Sequence, residues 1–395
     1  MPNPVFQSTQ LENLFLQQFG SCDGLRVFQA PGRVNLIGEH TDYNDGFVMP
    51  AAIDFQTSVA GTRREDSSLA VYSVLFDETR TFDLTKGTHL PQRHWSDYVL
   101  GAALELRRAG VPISGANLLV SGNVPLGSGL SSSASLEMAT AYALVSLAGS
   151  NIELTQLAVL CQRAENEFVG ARCGIMDQFI SAHGRAGHAL LLDCRSLQHE
   201  LLPLPAGISV VICNTMVKHE LASGEYNARR RECEQGVRLL QAAMPGIRAL
   251  RDVTTAQLSR SAELLPEVIF RRCRHVITEN ARVLSAATAL RNSDLASLGR
   301  LMRSSHESLR DDYEVSCSEL DFLVEIAWQL KGVIGARMTG GGFGGCTVNL
   351  VEDNAVESFL TRVKGEYHSR FGIIPETYAT RASDGVSETY NHASH

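Results

Sequence analysis

The sequence predicts a protein of two domains that mix helices and strands. Its 395 residues exceed what one hydrophobic core usually organises, since single cores stop growing beyond roughly 250–300 residues. Short strand-like runs alternate with helical segments up to about residue 205, and charged helical segments then dominate to about residue 330. A Pro- and Gly-containing turn at 203–207 separates the two patterns. We therefore predict an N-terminal domain at 1–205 and a C-terminal domain at 206–395.

The predicted elements alternate along the chain. Apolar periodicity predicts helices at 11–19 and 97–106, and strands at 27–30, 47–60, 69–76 and 116–120. Two further helices with apolar faces end at Gly149 and Gly170. Strands follow at 189–193 and 208–213, mostly helix at 223–330, and strands at 333–338 and 347–351.

The composition excludes several classes of protein. With 44% hydrophobic and 20% charged residues the chain is an ordinary globular protein. A net charge of −8 argues against a nucleic-acid partner held by bulk charge. No apolar run is long enough to span a bilayer, and no secretory signal is visible. The nine cysteines are scattered without a C-x-x-C, which argues against a disulfide framework or a zinc site. We expect a cytoplasmic protein with no membrane partner.

A stretch dense in glycine and serine leads into the helix that ends at Gly149. Residues 127–135 hold two glycines and five serines. Glycine allows positive φ and a close approach to a ligand, and serine caps helices. A helix N-terminus also offers unpaired N–H groups and a partial positive charge. The combination suits a phosphate, and an ordinary loop before a capped helix explains it equally well.

A second polar stretch lies at residues 31–43. Arg33 follows a Pro-Gly turn, and Glu39, His40 and Asp42 come together after a glycine. This spacing lacks the i, i+4 histidine pair of helical zinc sites. A metal, a charged surface loop and a polyhydroxyl ligand, whose hydroxyls pair with carboxylates and imidazole, all remain open.

Three single residues stand out between these features and the C-terminal half. Asp177 is the only charged residue between Arg172 and His183, which suggests a helix N-cap or a carboxylate tuned by its surroundings. Glu165 lies beside an apolar helix face and reads as a solvated carboxylate. Trp95 reads as a core aromatic more readily than as a stacking surface for a nucleobase.

A glycine-rich segment at 339–346 lies between two predicted strands. Gly340, Gly342 and Gly345 satisfy G-x-G-x-x-G, but a dinucleotide site needs a helix after the glycines. We therefore predict a loop whose backbone lies close to a ligand or to another loop. No Walker A motif occurs, so a bound nucleotide would need another kind of phosphate site.

Together, the stretches at 31–43, 125–136 and 338–346 resemble the three motifs of the GHMP small-molecule kinases. Residues 32–43 and 173–178 are similar to the galactokinase branch of that family. The resemblance runs from about residue 26 to residue 384, in the family's order and without a departure at a motif position. It implies an α+β fold of two domains, with the active site in the inter-domain cleft and the last ~20 residues returning to the N-terminal domain.

The resemblance also implies an activity. It is that of an ATP-dependent sugar kinase of galactose metabolism, which transfers the γ-phosphoryl group of MgATP to the C1 hydroxyl of α-D-galactose. Asp177 would be the catalytic base, with Arg33 against it and against the transferring phosphoryl group. Ser133 and Glu165 would hold Mg²⁺, which reverses the reading of Glu165 as a solvated residue. Trp95 would lie near the adenine.

The remaining ligand contacts follow from the same resemblance. The sugar hydroxyls are expected to be held by Glu39, His40, Thr41, Asp42, Gly174 and Tyr226. The ATP phosphates are expected to be held by Gly127, Ser128, Gly129, Leu130, Ser131, Ser132 and Ser133. Galactose and ATP are thus the expected partners of a monomer. Two alternatives stay open, an N-acetylgalactosamine kinase and a regulatory sensor that binds galactose and ATP.

Overall fold

The structure is a computed structural model that describes residues 8–86, 88–218 and 222–391. Its helices are α1 (Ser8–Phe19), α2 (Ser96–Arg108), α3 (Ser132–Leu147), α4 (Leu154–Arg163), α5 (Met176–His183), α6 (Ala222–Leu240), α7 (Thr255–Arg260), α8 (Glu267–Arg291), α9 (Leu295–Asp311), α10 (Ser318–Gln329) and α11 (Val356–Phe371). Its strands are β1 (Arg26–Asn35), β2 (Phe47–Val48), β3 (Pro50–Arg63), β4 (Ser68–Ser73), β5 (Glu78–Asp83), β6 (Ala116–Gly122), β7 (His188–Asp193), β8 (His199–Pro203), β9 (Ile208–Lys218), β10 (Val333–Thr339), β11 (Gly344–Glu352), β12 (Glu376–Thr380) and β13 (Ser387–Asn391). Among these helices, none combines the length and the apolar character needed to cross a membrane.

The N-terminal half is built on a six-stranded sheet of order β13-β1-β3-β6-β4-β5. Its two faces are both covered, as alternation along β1 shows. Phe28 packs into the large core under α2 to α5, whereas Val27 packs against α1 on the other face. Strand β13 pairs with β1, with Arg26 opposite Asn391. The last strand that the structure describes therefore lies in the N-terminal sheet.

The C-terminal half contains an antiparallel sheet of order β10-β11-β9-β12. Along β9, Val211 packs against α10 and α11, whereas Ile212 packs against α8 and α9. The core that holds Ile212 also contains Val34 and Leu36 from the N-terminal half. Because the halves share this core, the core does not mark where one domain ends, and the boundary near residue 205 stays a prediction.

Strand β1 extends beyond the predicted 27–30 and carries the first functional residue. The register of β1 against β3 shifts between Pro31 and Arg33, so a bulge absorbs the Pro-Gly pair and the ladder continues. Arg33 therefore lies on a strand and not in a turn. The predicted strand at 47–60 consists of β2 and the longer β3.

Candidate active site

Three backbone segments meet where the two halves join: the end of β1, the segment between β6 and α3, and the loop between β10 and β11. The backbone N–H of Arg33 donates to Leu130 O at 3.0 Å. A Cβ on Gly340 would lie 3.1 Å from Gly129 O, and Gly340 has φ 85°. The glycines thus allow the segments to pack backbone against backbone, which side chains would prevent.

Asp177 lies at this junction, in the first turn of α5. Ile175 occupies the N-cap position of α5, so the carboxylate of Asp177 is free for other partners. Arg33 Nε and Nη2 donate to Asp177 Oδ1 and Oδ2, each at 2.7 Å, in a bidentate pair. Ser131 Oγ also donates to Oδ2, and Arg33 Nη1 donates to Gly129 O. Asp177 is therefore bonded to the segment before α3 directly and through Arg33.

The segment before α3 has the geometry of an anion site. Gly127, Gly129 and Ser131 have φ of 63°, 80° and 61°, which is the left-handed region. Ser131 is the N-cap residue of α3, yet its side chain makes no capping bond, because its hydroxyl is used by Asp177. The first turn of α3 also lacks an acidic residue. Its N–H groups and dipole can therefore serve a bound phosphate.

Two members of this segment direct their side chains elsewhere. The Leu130 side chain is 1% exposed and packs in the core that the two halves share. Ser128 is 2% exposed, and its hydroxyl donates to Pro125 O at 2.7 Å. Any contact of these two residues with ATP would come from the backbone.

A cavity of about 210 Å³ opens beside the start of α3. Ser132 and Ser133 form part of its wall, and Phe76 and Trp95 form another part. The rings of Phe76 and Trp95 stack, with their centroids 5.9 Å apart and an angle of 11° between their planes. Trp95 Nε1 donates to Glu78 Oε2 at 3.3 Å. An apolar cavity next to an anion site suits a nucleobase linked to phosphates.

Glu165 is 7% exposed and lies in a π-helical turn, Ala164–Val169, that continues α4. Its Oε2 accepts from Gln178 Nε2 at 2.5 Å and from Cys173 Sγ at 3.4 Å. Burial, followed by the charge of Asp177, raises the pKa of Glu165, whereas a hydrogen bond with the Ser133 hydroxyl lowers it. The reading of Glu165 as a solvated residue is wrong, because π-turns interrupt the 3.6-residue spacing on which it relied.

The segment after β1 gathers the polar side chains of the second stretch. Glu39 is 3% exposed, and its Oε1 accepts from Gly340 N at 2.7 Å and from Thr339 Oγ1 at 3.1 Å. His40 has φ 63°, and its Nδ1 bonds to Tyr43 Oη at 2.7 Å. Its Nε2 is buried without a partner among the described residues. A ligand hydroxyl could therefore complete the bonding of His40.

The Thr41 side chain serves the loop itself. Its hydroxyl is 2.8 Å from Gly38 O and 2.7 Å from Phe47 O, and the residue is fully buried. Thr41 thus closes the turn between the two ends of the loop. Its side chain has no hydrogen left to donate to a sugar.

Asp42, Gly174 and Tyr226 complete this side of the site. A Cβ on Gly174 would lie 2.0 Å from Asp42 Oδ2, so only glycine lets the carboxylate occupy its place. Burial and the nearby charge of Asp177 raise the pKa of Asp42 to about 7. The Tyr226 ring lies 5.6 Å from the His40 ring. These residues, together with Glu39, form a polar recess next to Asp177.

Several residues of the site were not predicted from sequence. Tyr43 lies within the second polar stretch and bonds to Tyr313 Oη at 2.8 Å. Arg337 is fully buried, with Nη1 at 3.6 Å from Glu39 Oε1. Tyr313 and Arg337 carry no local sequence signal, since each reaches the site from about 270 residues or more along the chain.

Cys346 is buried in the core, and burial raises the pKa of its thiol, so it is a packing residue.

Three family models match the chain. The galactokinase galactose-binding signature matches residues 13–63, which include Arg33 and the polar stretch after it. The N-terminal domain of the GHMP kinases matches residues 97–185, which include the segment before α3 and Asp177. The C-terminal domain of the GHMP kinases matches residues 286–369.

Individual proteins match over nearly the whole chain. A galactokinase of Roseiflexus sp. (strain RS-1) is 48% identical over 98% of this chain and 99% of its own length. A galactokinase of Haemophilus influenzae is 46% identical over 95% of this chain and 97% of its own length. These matches do not favour the N-acetylgalactosamine kinase or the regulatory sensor.

Solved structures match in the same way. The crystal structure of Lactococcus lactis galactokinase complexed with galactose has a TM-score of 0.93 at 36% identity, over 96% of this chain and 99% of that chain. A mevalonate kinase structure, at 17% identity over 91% of this chain and 99% of that chain, has a TM-score of 0.61 and supports the fold alone. The two-domain GHMP kinase fold predicted from the motifs is confirmed. The chain therefore belongs to the galactokinase family, within the GHMP kinases.

Proposed function

We propose that the chain, an ATP-dependent sugar kinase by its family, transfers the γ-phosphoryl group of ATP to the C1 hydroxyl of α-D-galactose. The products are galactose 1-phosphate and ADP. One observation carries the proposal: Asp177 is bonded to Arg33 and Ser131 where the polar recess meets the anion site of α3. A carboxylate in this place can face a sugar hydroxyl on one side and a phosphoryl group on the other. The L. lactis relative was solved with galactose.

Asp177 acts as the base in the proposed mechanism. As the bond from the C1 oxygen to the γ-phosphorus forms, the hydroxyl proton passes to the Asp177 carboxylate. The bond from the γ-phosphorus to the β,γ-bridging oxygen breaks, and ADP leaves with that electron pair. Phosphoryl transfer passes through a loose transition state, so positioning and electrostatics dominate its catalysis. A positioned base adds about 10²–10⁴ in rate.

Arg33 supplies positive charge at the same point. Its bidentate bond fixes the orientation of Asp177, and its third contact, with Gly129 O, fixes its distance from the phosphate segment. Burial lowers the pKa of Arg33, but the adjacent Asp177 and Glu39 carboxylates raise it by more. The guanidinium therefore stays charged and preorganised for the phosphoryl oxygens.

The nucleotide contacts follow from the geometry of α3. The N–H groups at its start, together with the left-handed residues before it, receive the phosphates, and the cavity lined by Phe76 and Trp95 receives the adenine. Ser131 then serves both substrates: its backbone belongs to the segment that receives the phosphates, and its hydroxyl bonds to Asp177, the proposed base for the sugar hydroxyl. Leu130 and Ser128 contribute through their backbones.

The same region suits Mg²⁺. The Ser133 hydroxyl lies close enough to the Glu165 carboxylate to lower its pKa, and both offer the hard oxygen atoms that Mg²⁺ takes, usually from one or two protein groups plus water and phosphates. Ser133 and Glu165 are thus the residues that would hold it. When bound, Mg²⁺ neutralises charge on the ATP phosphates.

The sugar is assigned to the polar recess of Glu39, His40, Asp42, Gly174 and Tyr226. Its hydroxyls can donate to the two carboxylates and bond to His40 Nε2, which has no hydrogen-bond partner in the described part of the chain. Thr41 shapes this recess from within the loop.

We further infer that the protein is cytoplasmic, because all nine cysteines are free thiols, as in reducing compartments. We also infer that it is a monomer, which size-exclusion chromatography with light scattering tests.

The activity is tested with the purified chain by a coupled assay of ADP release. Galactose, N-acetylgalactosamine and glucose are compared at saturating MgATP, and ³¹P NMR identifies the product. We expect the highest kcat/KM for galactose and an α-anomeric phosphate as product. A higher kcat/KM for N-acetylgalactosamine, or galactose binding without ADP release, would overturn the proposal.

A further inference from the structure

One face of helix α8 is buried against the polar recess that is proposed to bind the sugar, although α8 belongs to the C-terminal half. It contacts residues 38–47, which we call the sugar loop. The face consists of His275, Glu279 and Val283, at the i, i+4 spacing of residues that share one side of a helix, with Asn280 at its edge, three residues before Val283. His275, Glu279 and Val283 are fully buried and Asn280 is 8% exposed. Three of the four are polar, which is unusual for a buried helix face.

Each polar member of this face bonds to the backbone of the sugar loop. His275 Nε2 is 3.1 Å from Glu39 O, and because a carbonyl only accepts, this nitrogen carries the hydrogen. Glu279 Oε1 accepts from Gly38 N at 2.9 Å. Those two bonds flank residues 38 and 39, directly before His40.

Asn280 fixes the other end of the loop. Its Oδ1 accepts from Phe47 N at 2.8 Å. A Cβ on Gly46 would lie 2.4 Å from that oxygen, and a Cβ on Gly38 would lie 2.9 Å from Val283 Cγ2. The two glycines of the loop are thus required by the close approach of α8.

The backbone of the loop needs such support. Gly38 has φ 102° and His40 has φ 63°, and a non-glycine residue persists in that region only where its surroundings over-determine it. Ring contacts add a second link: the Tyr313 ring lies between the rings of His275, with centroids 4.6 Å apart, and His40, with centroids 4.7 Å apart, and is tilted against both. Glu279 is itself anchored, with Oε2 accepting from Arg282 Nε and Oε1 from Ser305 Oγ, both at 2.6 Å.

We propose that His275, Glu279 and Asn280 are positioning residues of the sugar site. They hold the sugar loop in the conformation that aims Glu39 and His40 at the sugar, and so α8 influences sugar affinity without contacting the sugar. The inference rests on the proposed function in one respect, namely that galactose binds at this loop.

The test compares His275→Leu with His275→Gln by calorimetric titration of galactose. Leucine removes the N–H donor to Glu39 O, whereas glutamine retains a donor on a side chain of similar reach. We expect the galactose Kd to rise about 10-fold or more in His275→Leu, which is the loss of one hydrogen bond, and to return close to the wild-type value in His275→Gln. Ser285→Ala, on the exposed face of α8, is the matched control and should bind like wild type.

Titration of a non-hydrolysable ATP analogue separates positioning from general damage. The analogue should bind all of these variants with the wild-type Kd. An unchanged galactose Kd in His275→Leu overturns the inference, and so does an equal loss of galactose and nucleotide affinity. If His275→Leu does not fold, Asn280→Ala replaces it, and a wild-type galactose Kd there overturns the inference. Absence of galactose binding by the wild-type chain would instead refute the proposed function.

Discussion

The substitution Gly174→Ala tests by steric exclusion whether the polar recess binds the sugar. A Cβ at this position would lie 2.0 Å from Oδ2, 2.2 Å from Cγ and 2.7 Å from Cβ of Asp42. Real Cβ atoms are essentially never found closer than 3.0 Å to another heavy atom. The Asp42 carboxylate must therefore move by about 1 Å or more, or the backbone at residue 174 must shift. Either change displaces a proposed sugar ligand.

The magnitude follows from the cost of overpacking. Forcing extra atoms into a packed site costs about 1–3 kcal/mol. Since about 1.4 kcal/mol is a factor of ten, the galactose KM should rise about 5- to 150-fold. Nucleotide binding should be unchanged, because the nearest atoms to the added methyl group all belong to Asp42.

The assay is initial rate against galactose concentration at saturating MgATP, with the thermal midpoint of each variant measured beside it. Gly365→Ala is the control, because a Cβ at Gly365 in α11 meets nothing within 4 Å. That variant should keep the wild-type KM and be as stable or more so, since glycine inside a helix costs about 0.5–1 kcal/mol relative to alanine. A wild-type galactose KM in a folded Gly174→Ala would refute the assignment of Asp42 to the sugar site.

Three further predictions address charge at the site. Arg33→Ala should lower kcat by about 10²–10³ with a smaller effect on nucleotide Kd; steady-state kinetics check this, and an effect confined to KM would contradict it. Glu165→Gln should require a higher Mg²⁺ concentration for ADP to raise the thermal midpoint, and an identical Mg²⁺ dependence in wild type would count against the Ser133–Glu165 site. Asp42→Asn should gain stability relative to wild type as pH rises from 5 to 8. The reason is the raised pKa of Asp42, about 7 in the folded wild-type chain. The folded chain keeps a proton on Asp42 up to that pH, whereas the unfolded chain releases it at lower pH. The stability of the wild-type protein therefore falls as pH rises through this range, and asparagine removes that loss. Urea unfolding at both pH values measures this, and a difference that is constant with pH would refute it.

The sequence predicted the segments of the site better than their contacts. The glycine and serine composition before α3 pointed to an anion site, and the structure has three left-handed residues there. The capping role suggested for serine does not apply to Ser131, whose hydroxyl is directed at Asp177. Local composition predicts a backbone shape, whereas the partner of a side chain depends on which distant segment packs against it.

Glu165 and α8 illustrate what sequence reasoning could not reach. Helical periodicity placed Glu165 on a solvated face, and a π-turn with Gln178 and Ser133 beside it makes it a buried group. His275 and Glu279 lie in the stretch at 223–330, for which the sequence predicted only charged helix. Their role depends on contacts that span 236 and 241 residues of chain, and no local pattern encodes such separations.

Asp177 is proposed as the base of a galactose phosphorylation, and the substitution Asp177→Asn is the decisive test of that role. Asparagine keeps the shape of the side chain and removes its capacity to accept the hydroxyl proton. Formation of galactose 1-phosphate is measured in a single turnover, with the Kd values of galactose and MgATP determined on the same preparation. We expect near wild-type Kd values for both substrates and a rate of phosphoryl transfer at least about 10² lower than in the wild type. Turnover at the wild-type rate would contradict it.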